Sequence, residues 1–356
     1  MTEVRPFLST APGRLCLFGE HQDYLNLPVI ALALPLRCTI RVIPRKDSRE
    51  LVLTFGGKVW HVHLDRIPPK QVVGPSCDDL DFALAALHEV VNAGWVFRSG
   101  ADCVSTTTIP LQAGVSSSSA FCVAWIQVLA KLADHQPTLT PLEIAQWAHR
   151  AEVTHFGSPG GTMDHVTSAV GGILRIGPGM WEYNRLPMPQ GVWVLAYSGE
   201  PKDTLHHLNR CKGLRLKLLE KLGGSWDNVV DGLSKDELLL LNATITNRDM
   251  EQKAAIEWES SPSCILASYM GKHHEALRDG LLLSTPRLEA MNQAAIHAGA
   301  WAFKVVGSGG GGCGVAWCAD GISEAVAGAM KQAGAPATWI ISDCGEEAFV
   351  SDDGSE

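Results

Sequence analysis

The chain has 356 residues, of which 46% are apolar and 19% are charged, and its formal net charge is −9. This composition supports a sizeable core, and the acidic balance argues against a general nucleic-acid binder or a membrane-surface protein. The ten cysteines are scattered without a Cys-x-x-Cys pair, which is typical of reduced, buried thiols in a cytoplasmic protein. The first residues show no signal-peptide pattern, and no apolar run reaches membrane length.

The first half of the chain mixes strand and helix patterns. Apolar runs predict strands at 15–18, 32–43, 51–64, 103–109 and 171–176. Helical spacing predicts helices at 79–94 and 121–133, and a third that begins at Thr140 with a capping box and Pro141 at its first position. His61 and His63 are expected to face solvent. A metal site there is the weaker interpretation, because no third ligand stands nearby.

The second half is predicted to be mostly helical. Helices are predicted at 204–222, 235–247, 250–259, 269–283, 285–298 and 325–333. Strands are predicted at 192–197, 301–306, 313–318 and 337–342. The proline- and glycine-rich segment 178–189 has no clear period, so we place the boundary between two domains there. Only 351–356 is predicted to be a solvated tail.

The most informative stretch is the glycine and serine turn at 110–120. It lies between a predicted strand and a predicted helix, so the free N–H groups and the positive end of the helix dipole point into the turn. Small side chains let a phosphate approach the backbone, and a serine hydroxyl can bind magnesium. An ordinary helix-capping turn explains this stretch alone equally well. The turn is neither a Walker A loop nor a hydrolase nucleophile elbow, because Ser118 stands where the elbow needs a second glycine.

A polar cluster follows the short apolar run at 15–18. Arg14 precedes this run, and Glu20, His21 and Asp23 come directly after it. Ionisable groups beside a buried strand favour a functional site over a solvated loop, since burying charge is costly. Carboxylates and an imidazole are groups suited to binding sugar hydroxyls.

Two further acids, Glu152 and Asp164, are separated by a helix end and a glycine-rich turn. Such a turn can bring both carboxylates to one cavity, where one holds magnesium and the other abstracts a proton. Taken alone, two unrelated surface acids are the simpler interpretation.

The glycine turn at 307–312 matches the pattern Gly-x-Gly-x-x-Gly. A dinucleotide-binding fold requires a helix directly after this pattern, but a strand follows at 315–318. A tight turn that lets another group come close is the better interpretation, and the two flanking strands with their helices predict an α+β domain.

Together and in this order, these segments resemble the GHMP kinases, and within that family they look most like galactokinases. The segments that carry the resemblance are 13–24, 110–124, 161–164, 270–277 and 306–313. The resemblance implies an α+β, two-domain GHMP kinase fold. Its N-terminal domain, 1–185, would be ribosomal-S5-like, its C-terminal domain, 186–356, ferredoxin-like, and the active site would lie between them.

The resemblance also implies the chemistry and the partners. The protein would use ATP and Mg²⁺ to phosphorylate a small sugar at its anomeric hydroxyl, with no nucleic-acid or membrane partner. Two alternatives stay open. A mevalonate kinase-like alcohol kinase is disfavoured by Asp23 and Tyr24, and a non-catalytic sugar- or nucleotide-binding homologue is disfavoured by intact Asp164 and Arg14.

Residue roles follow from the same resemblance. Asp164 would be the base, and Arg14 would steady the attacking oxygen and the phosphoryl charge. Ser118 and Glu152 would bind magnesium. The residues implied to cradle the nucleotide phosphates are Gly114, Val115, Ser116, Ser117 and Ser118. The residues implied to contact the sugar are Glu20, His21, Asp23, Gly161 and Asp164.

The chain departs from the galactokinase pattern at several places. Leu25, Asn26 and Leu27 stand in place of Asn-Gly-Gly, Leu208 stands in place of a tyrosine that touches galactose, and His165 replaces Gln. The leucines predict a more apolar sugar pocket, suited to a deoxy sugar, a substituted sugar or a pentose. Alternatively, another residue of the predicted helix 204–222 replaces the tyrosine and galactose still binds.

Overall fold

The structure is a computed structural model that describes residues 5–67, 79–178, 181–201 and 204–354, without the side chains of residues 204–206 and 208. The strands of the larger sheet are β1 (Phe7–Phe18), β2 (Val29–Arg45), β3 (Glu50–Phe55), β4 (Lys58–His63), β5 (Gly100–Thr107), β6 (Ile173–Ile176), β7 (Tyr183–Leu186) and β12 (Phe349–Asp352). The smaller sheet comprises β8 (Val192–Tyr197), β9 (Ala302–Val305), β10 (Cys313–Cys318) and β11 (Ala337–Ile341).

Helices cover both sheets. Those of the first half are α1 (Asp79–Asn92), α2 (Ser117–Leu132), α3 (Pro141–His149) and α4 (Met163–Val170). Those of the second half are α5 (Thr204–Lys221), α6 (Lys235–Glu257), α7 (Ser263–Glu275), α8 (Pro286–His297) and α9 (Ser323–Gln332). Among the described residues, no helix combines the length and the apolar character needed to cross a membrane.

The larger sheet is built on the long strand β2. The strand order is β12-β1-β2-β5-β3-β4, and β6 joins β2 to β7. One end of β2, Val29–Leu32, pairs with β6, whereas the other end, Cys38–Arg45, pairs with β5. The same strand therefore positions β5, which leads into the turn before α2, and β6, which directly follows α4.

Helix α2 lies in the core of the first half. Its Trp125 is fully buried and donates from Nε1 to the carbonyl oxygen of Ala83 at 3.1 Å. Ser9 of β1 donates to the carbonyl oxygen of Ala124 at 2.8 Å. Because apolar packing surrounds the helix on almost all sides, the direction in which its first turn points is fixed.

The smaller sheet has the strand order β11-β8-β10-β9, and all its pairs are antiparallel. With the strands numbered in chain order this is 4-1-3-2, the order of a ferredoxin-like sheet. The apolar residues on one face of this sheet pack with those of α8 and α9 in a separate cluster. The predicted α+β fold class is confirmed.

Several predicted elements differ from the observed ones. The single strand predicted at 51–64 is a hairpin, because Gly56 and Gly57 adopt φ values of 54° and 79° and reverse the chain. His61 and His63 are exposed, as expected. The helices predicted at 235–247 and 250–259 are one helix, α6, since no breaker separates them. Helix α2 begins at Ser117 rather than 121, so the serine run forms its first turn.

Two segments for which no regular structure was predicted contain strand residues. The predicted tail 351–356 begins inside strand β12, which pairs with β1 through Ser351 and Asp352. The segment 178–189 contains β7, which pairs with β6. The proposed boundary between residues 185 and 186 falls within β7, and the division into 1–185 and 186–356 stays a prediction.

No disulfide bond joins any two of the described cysteines. All of them are buried except Cys264, which is exposed, and Cys344, which is half-buried.

Candidate active site

The turn before α2 is anchored to both sheets. Gly114 and Ser116 adopt left-handed φ values of 84° and 58°, which place the N-terminus of α2 directly after the turn. Arg14 N–H donates to the carbonyl oxygen of Val115 at 3.1 Å, and Cys313 N–H donates to the carbonyl preceding Gly114 at 2.9 Å. Both halves of the chain therefore determine the position of the first-turn N–H groups of α2, which are groups able to bind an anion.

Arg14 links this turn to Asp164. Its Nε and Nη2 donate to Oδ1 and Oδ2 of Asp164 at 2.6 and 2.9 Å, and its Nη1 donates to the carbonyl oxygen of Gly114 at 2.6 Å. Burial acts to raise the pKa of Asp164, but the charge and the hydrogen bonds of Arg14 outweigh it and lower the pKa overall. The lowered pKa keeps Asp164 ionised at neutral pH. Its side chain is 30% exposed, so a substrate can reach the carboxylate.

A second carboxylate, that of Asp23, lies near Asp164. Its Oδ2 accepts a hydrogen bond from Met163 N–H at 3.3 Å, one residue before Asp164. Gly161 is required here, because a Cβ at that position would lie 1.9 Å from Oδ2 of Asp23. Burial, and then the charge of Asp164, raise the pKa of Asp23 to about 6. The carboxylates of Asp23 and Asp164 therefore provide hydrogen-bond acceptors in the same region of the protein.

This raised pKa predicts that Asp23 costs the folded protein stability. Its ordinary pKa is 3.8, so between about pH 4 and 6 the folded protein binds more protons than the unfolded chain. The cost is complete above pH 6 and disappears as the pH falls towards 4. We expect Asp23→Asn to increase the free energy of unfolding at pH 8 by about 1–3 kcal/mol, with the gain shrinking towards pH 4.

Denaturant unfolding of the wild type and the variant across this pH range measures the effect. The matched control is Asp47→Asn at an exposed site, which should leave stability unchanged. A loss of stability at pH 8 in Asp23→Asn would contradict the prediction.

Glu152 lies on the other side of the serine run. It sits in a widened π turn, Arg150–Thr154, that continues α3, and its side chain is 13% exposed. Its Oε2 lies 2.7 Å from Nε2 of His165. Burial acts to raise the pKa of Glu152, but hydrogen bonds from His165, Ser118 and Ser119 lower it overall. An ionised carboxylate thus lies beside the first turn of α2.

These residues fit a magnesium ion carried by a nucleotide. No group of three or more His, Cys, Asp or Glu side chains that could hold a metal occurs in the part of the chain that the structure describes. Magnesium bound with a nucleotide needs only one or two protein ligands, because phosphate oxygens and waters complete its octahedron. Ser118 and Glu152 supply a hydroxyl and a carboxylate of that kind.

Glu20 has a partner inside the protein. Its carboxylate is 2% exposed and accepts a hydrogen bond from Nζ of Lys304 at 2.6 Å. Lys304, on β9, is fully buried and also donates to the carbonyl oxygen of Val305 at 2.8 Å. This buried ion pair joins the segment after β1 to the smaller sheet, so Glu20 is already satisfied without a sugar.

His21 likewise contacts other residues of the protein, Tyr24 and Arg215. Its backbone is left-handed, with φ 63°, and its Nδ1 lies 2.9 Å from the hydroxyl of Tyr24. Arg215, fully buried on α5, donates from Nη2 to that hydroxyl and to the carbonyl oxygen of His21, both at 2.5 Å. Lys212, one turn earlier, donates to the carbonyl oxygen of Pro159 at 3.1 Å. These contacts fasten α5 to the loops around Asp23 and Gly161.

Leu25 and Leu27 do not line the more apolar sugar pocket that the sequence predicted. Leu25 is 7% exposed and packs in a cluster with Leu218, Leu222 and Trp226, and Leu27 packs against the same cluster. They stabilise the contact with α5. The side chain of Leu208 lies outside the described part of the structure.

The glycine turn 307–312, which joins β9 to β10, lets neighbouring segments approach its backbone closely. A Cβ at Gly310 would lie 2.0 Å from Nε2 of His207, and one at Gly309 would lie 2.5 Å from Leu283. The N–H of Gly312 donates to the carbonyl oxygen of Glu200 at 2.9 Å. The turn therefore brings the start of α5 against the smaller sheet, and a strand follows it, as the sequence indicated.

The structure thus brings Arg14, Asp23, Gly161 and Asp164 together, and Ser118 with Glu152. Sequence reasoning assigned no role to Lys304, Lys212 or Arg215. A lysine inside the predicted apolar strand 301–306 was the one usable signal, because a buried ammonium group requires a partner.

Comparisons with known proteins agree with this architecture. Family models for the GHMP kinases N terminal domain, the galactokinase galactose-binding signature and the GHMP kinases C terminal region match residues 81–172, 2–44 and 264–335. A mevalonate kinase of Pyrococcus abyssi is 31% identical over 93% of each chain. A galactokinase of Streptomyces coelicolor is 26% identical over 93% of this chain and 90% of its own.

Solved structures share the whole fold. Lactococcus lactis galactokinase complexed with galactose superimposes with a TM-score of 0.84 at 18% identity, covering 97% of this chain and 95% of its own. Methanococcus jannaschii mevalonate kinase gives a TM-score of 0.71 at 17% identity, covering 97% and 96%. The chain therefore belongs to the GHMP kinase family, whose members are ATP-dependent kinases.

Proposed function

We propose that this protein is a sugar kinase that transfers the γ-phosphoryl group of ATP to the anomeric hydroxyl of a galactose-like sugar. The observation that carries the proposal is the pair of carboxylates, Asp23 and Asp164, which lie close enough for their charges to interact. Both can accept hydrogen bonds from neighbouring hydroxyls of a neutral polyol. An anionic substrate would instead meet a negative charge there, because Arg14 balances only one of the two carboxylates. The match of residues 2–44 to the galactose-binding signature supports the same reading.

In this proposal each residue has a defined task. Asp164 accepts the proton of the sugar hydroxyl, which its lowered pKa and its exposed edge allow. Arg14 already spans Asp164 and the carbonyl of Gly114, so it lies between the base and the phosphate turn and can balance charge as the phosphoryl group moves. The first turn of α2 holds the nucleotide phosphates. Magnesium, when bound with the nucleotide, neutralises charge on the β- and γ-phosphates.

A mevalonate kinase is the second candidate, and Lys212 is the observation that favours it. This half-buried lysine donates to the carbonyl oxygen of Pro159, two residues before Gly161. An ammonium group at that position could receive the carboxylate that mevalonate carries and a sugar lacks. Several archaeal mevalonate kinases are also 28–31% identical to this chain.

Specificity constants decide between the two candidates. We expect kcat/KM to be highest for a sugar when galactose, a deoxygalactose, N-acetylgalactosamine, arabinose and mevalonate are compared in an ADP-release assay. Lys212→Gln should then change the sugar's KM by less than about threefold. If mevalonate gives the highest value, and if the same variant raises its KM about tenfold or more, the protein is a mevalonate kinase.

A third result would contradict both candidates. If no compound is turned over but one of them raises the Tm, the protein binds its ligand without catalysis.

A further inference from the structure

Glu152 is held by more groups than a surface carboxylate needs. His165 approaches Oε2 at 2.7 Å, and the hydroxyls of Ser118 and Ser119 also hydrogen-bond to the side chain. A carboxylate only accepts hydrogen bonds, so the imidazole donates from Nε2. These contacts occupy Oε2 and fix the plane of the carboxylate beside the first turn of α2.

The imidazole itself is locked by packing. His165 is 2% exposed, and the ring of His149 meets it edge-on, with centroids 5.2 Å apart at 79°. Trp181 packs edge-on against His149 in turn, at 5.5 Å and 89°. A buried ring packed in this way keeps one rotamer, so the direction of the Nε2–H bond is determined by the fold.

His165 also follows Asp164 directly in the first turn of α4. One helical turn therefore presents a carboxylate to Arg14 and a hydrogen-bond donor to Glu152. Any shift of this turn moves both groups together.

From this geometry we infer that His165 is a positioning residue, which orients Glu152 as a ligand for the magnesium ion of the bound nucleotide. The inference rests on the proposed assignment of Glu152 as a metal ligand. A donor that fixes a ligating carboxylate changes metal affinity by about 10- to 100-fold when it is lost. Asp164 and the sugar site do not enter this role, so metal-dependent nucleotide binding reports on it without turnover.

The test is calorimetric titration with AMP-PNP, a non-hydrolysable ATP analogue, with and without Mg²⁺. The quantity compared is the factor by which Mg²⁺ tightens AMP-PNP binding. His165→Leu removes the donor at similar volume and should reduce this factor about 10-fold or more. His165→Gln places an amide N–H where Nε2 stands and should restore the factor to within about threefold. His165→Asn places its amide near Nδ1, too short to reach Glu152, and should behave like the leucine variant.

Two further variants distinguish a wrong metal-ligand assignment from a wrong positioning role. Glu152→Gln should reduce the same factor, and combining it with His165→Leu should cause no further loss, because both changes remove one interaction. His149→Phe keeps the ring contact and should leave the factor unchanged. If Glu152→Gln has no effect, the metal-ligand assignment itself is wrong. If Glu152→Gln has an effect but His165→Leu has none, or if Gln and Asn at 165 behave alike, the positioning role is wrong.

Discussion

Replacing Asp164 with asparagine is expected to lower turnover by roughly 10²-fold or more while AMP-PNP binding is retained. Asparagine keeps the shape of the side chain and one acceptor for Arg14, but it cannot take a proton. The lowered pKa of Asp164 means that the wild-type group is ionised and ready to accept one at neutral pH. Steady-state kinetics with the best substrate of the panel, together with titration of AMP-PNP, measure the two effects separately.

A purely structural role for Asp164 predicts a different result. As a residue of the first turn of α4, it would contribute about 1 kcal/mol to stability through the helix end, with little effect on turnover. The Tm of the variant is therefore measured beside its kinetics. A folded Asp164→Asn protein with near-normal turnover would remove Asp164 from the role of base.

The second large effect is expected on stability. Lys304→Met should lower the free energy of unfolding by about 3–5 kcal/mol, because it leaves the carboxylate of Glu20 buried without its partner. Glu20 is 2% exposed and the Lys304 side chain is fully buried, so water cannot replace the lost contact. Urea unfolding at neutral pH measures this change.

Two comparisons show whether the unpaired charge is the cause. The double variant Glu20→Gln/Lys304→Met removes both charges and should recover much of the lost stability. Lys253→Met, at an exposed position of α6, should change stability by less than about 0.5 kcal/mol. Equal instability of the single and the double variants would show that the shape of Lys304, and not its charge, matters.

The order of elements was largely available from the sequence. Apolar periodicity and capping residues located α1, α3, β8 and β10, because these signals depend on neighbours along the chain. The family resemblance is likewise carried by short motifs. The predicted elements were wrong where the observed element depends on residues that are distant in the sequence. Strand β12 is short and ends at the charged Asp352, and it forms because β1 offers it an edge.

The candidate site divides in the same way. The sequence by itself determined which residue types are present and in what order, including the serine run before α2 and the acids Asp23, Glu152 and Asp164. Only the tertiary structure decided their partners. Asp23 and Asp164 lie close together although they are far apart in the chain, whereas Glu20, three residues before Asp23, is paired with Lys304 in the interior. The physical reason is that a charge can be buried only when an opposite charge or a hydrogen-bonding group lies beside it. That partner comes from a distant part of the chain, so no local sequence pattern predicts it.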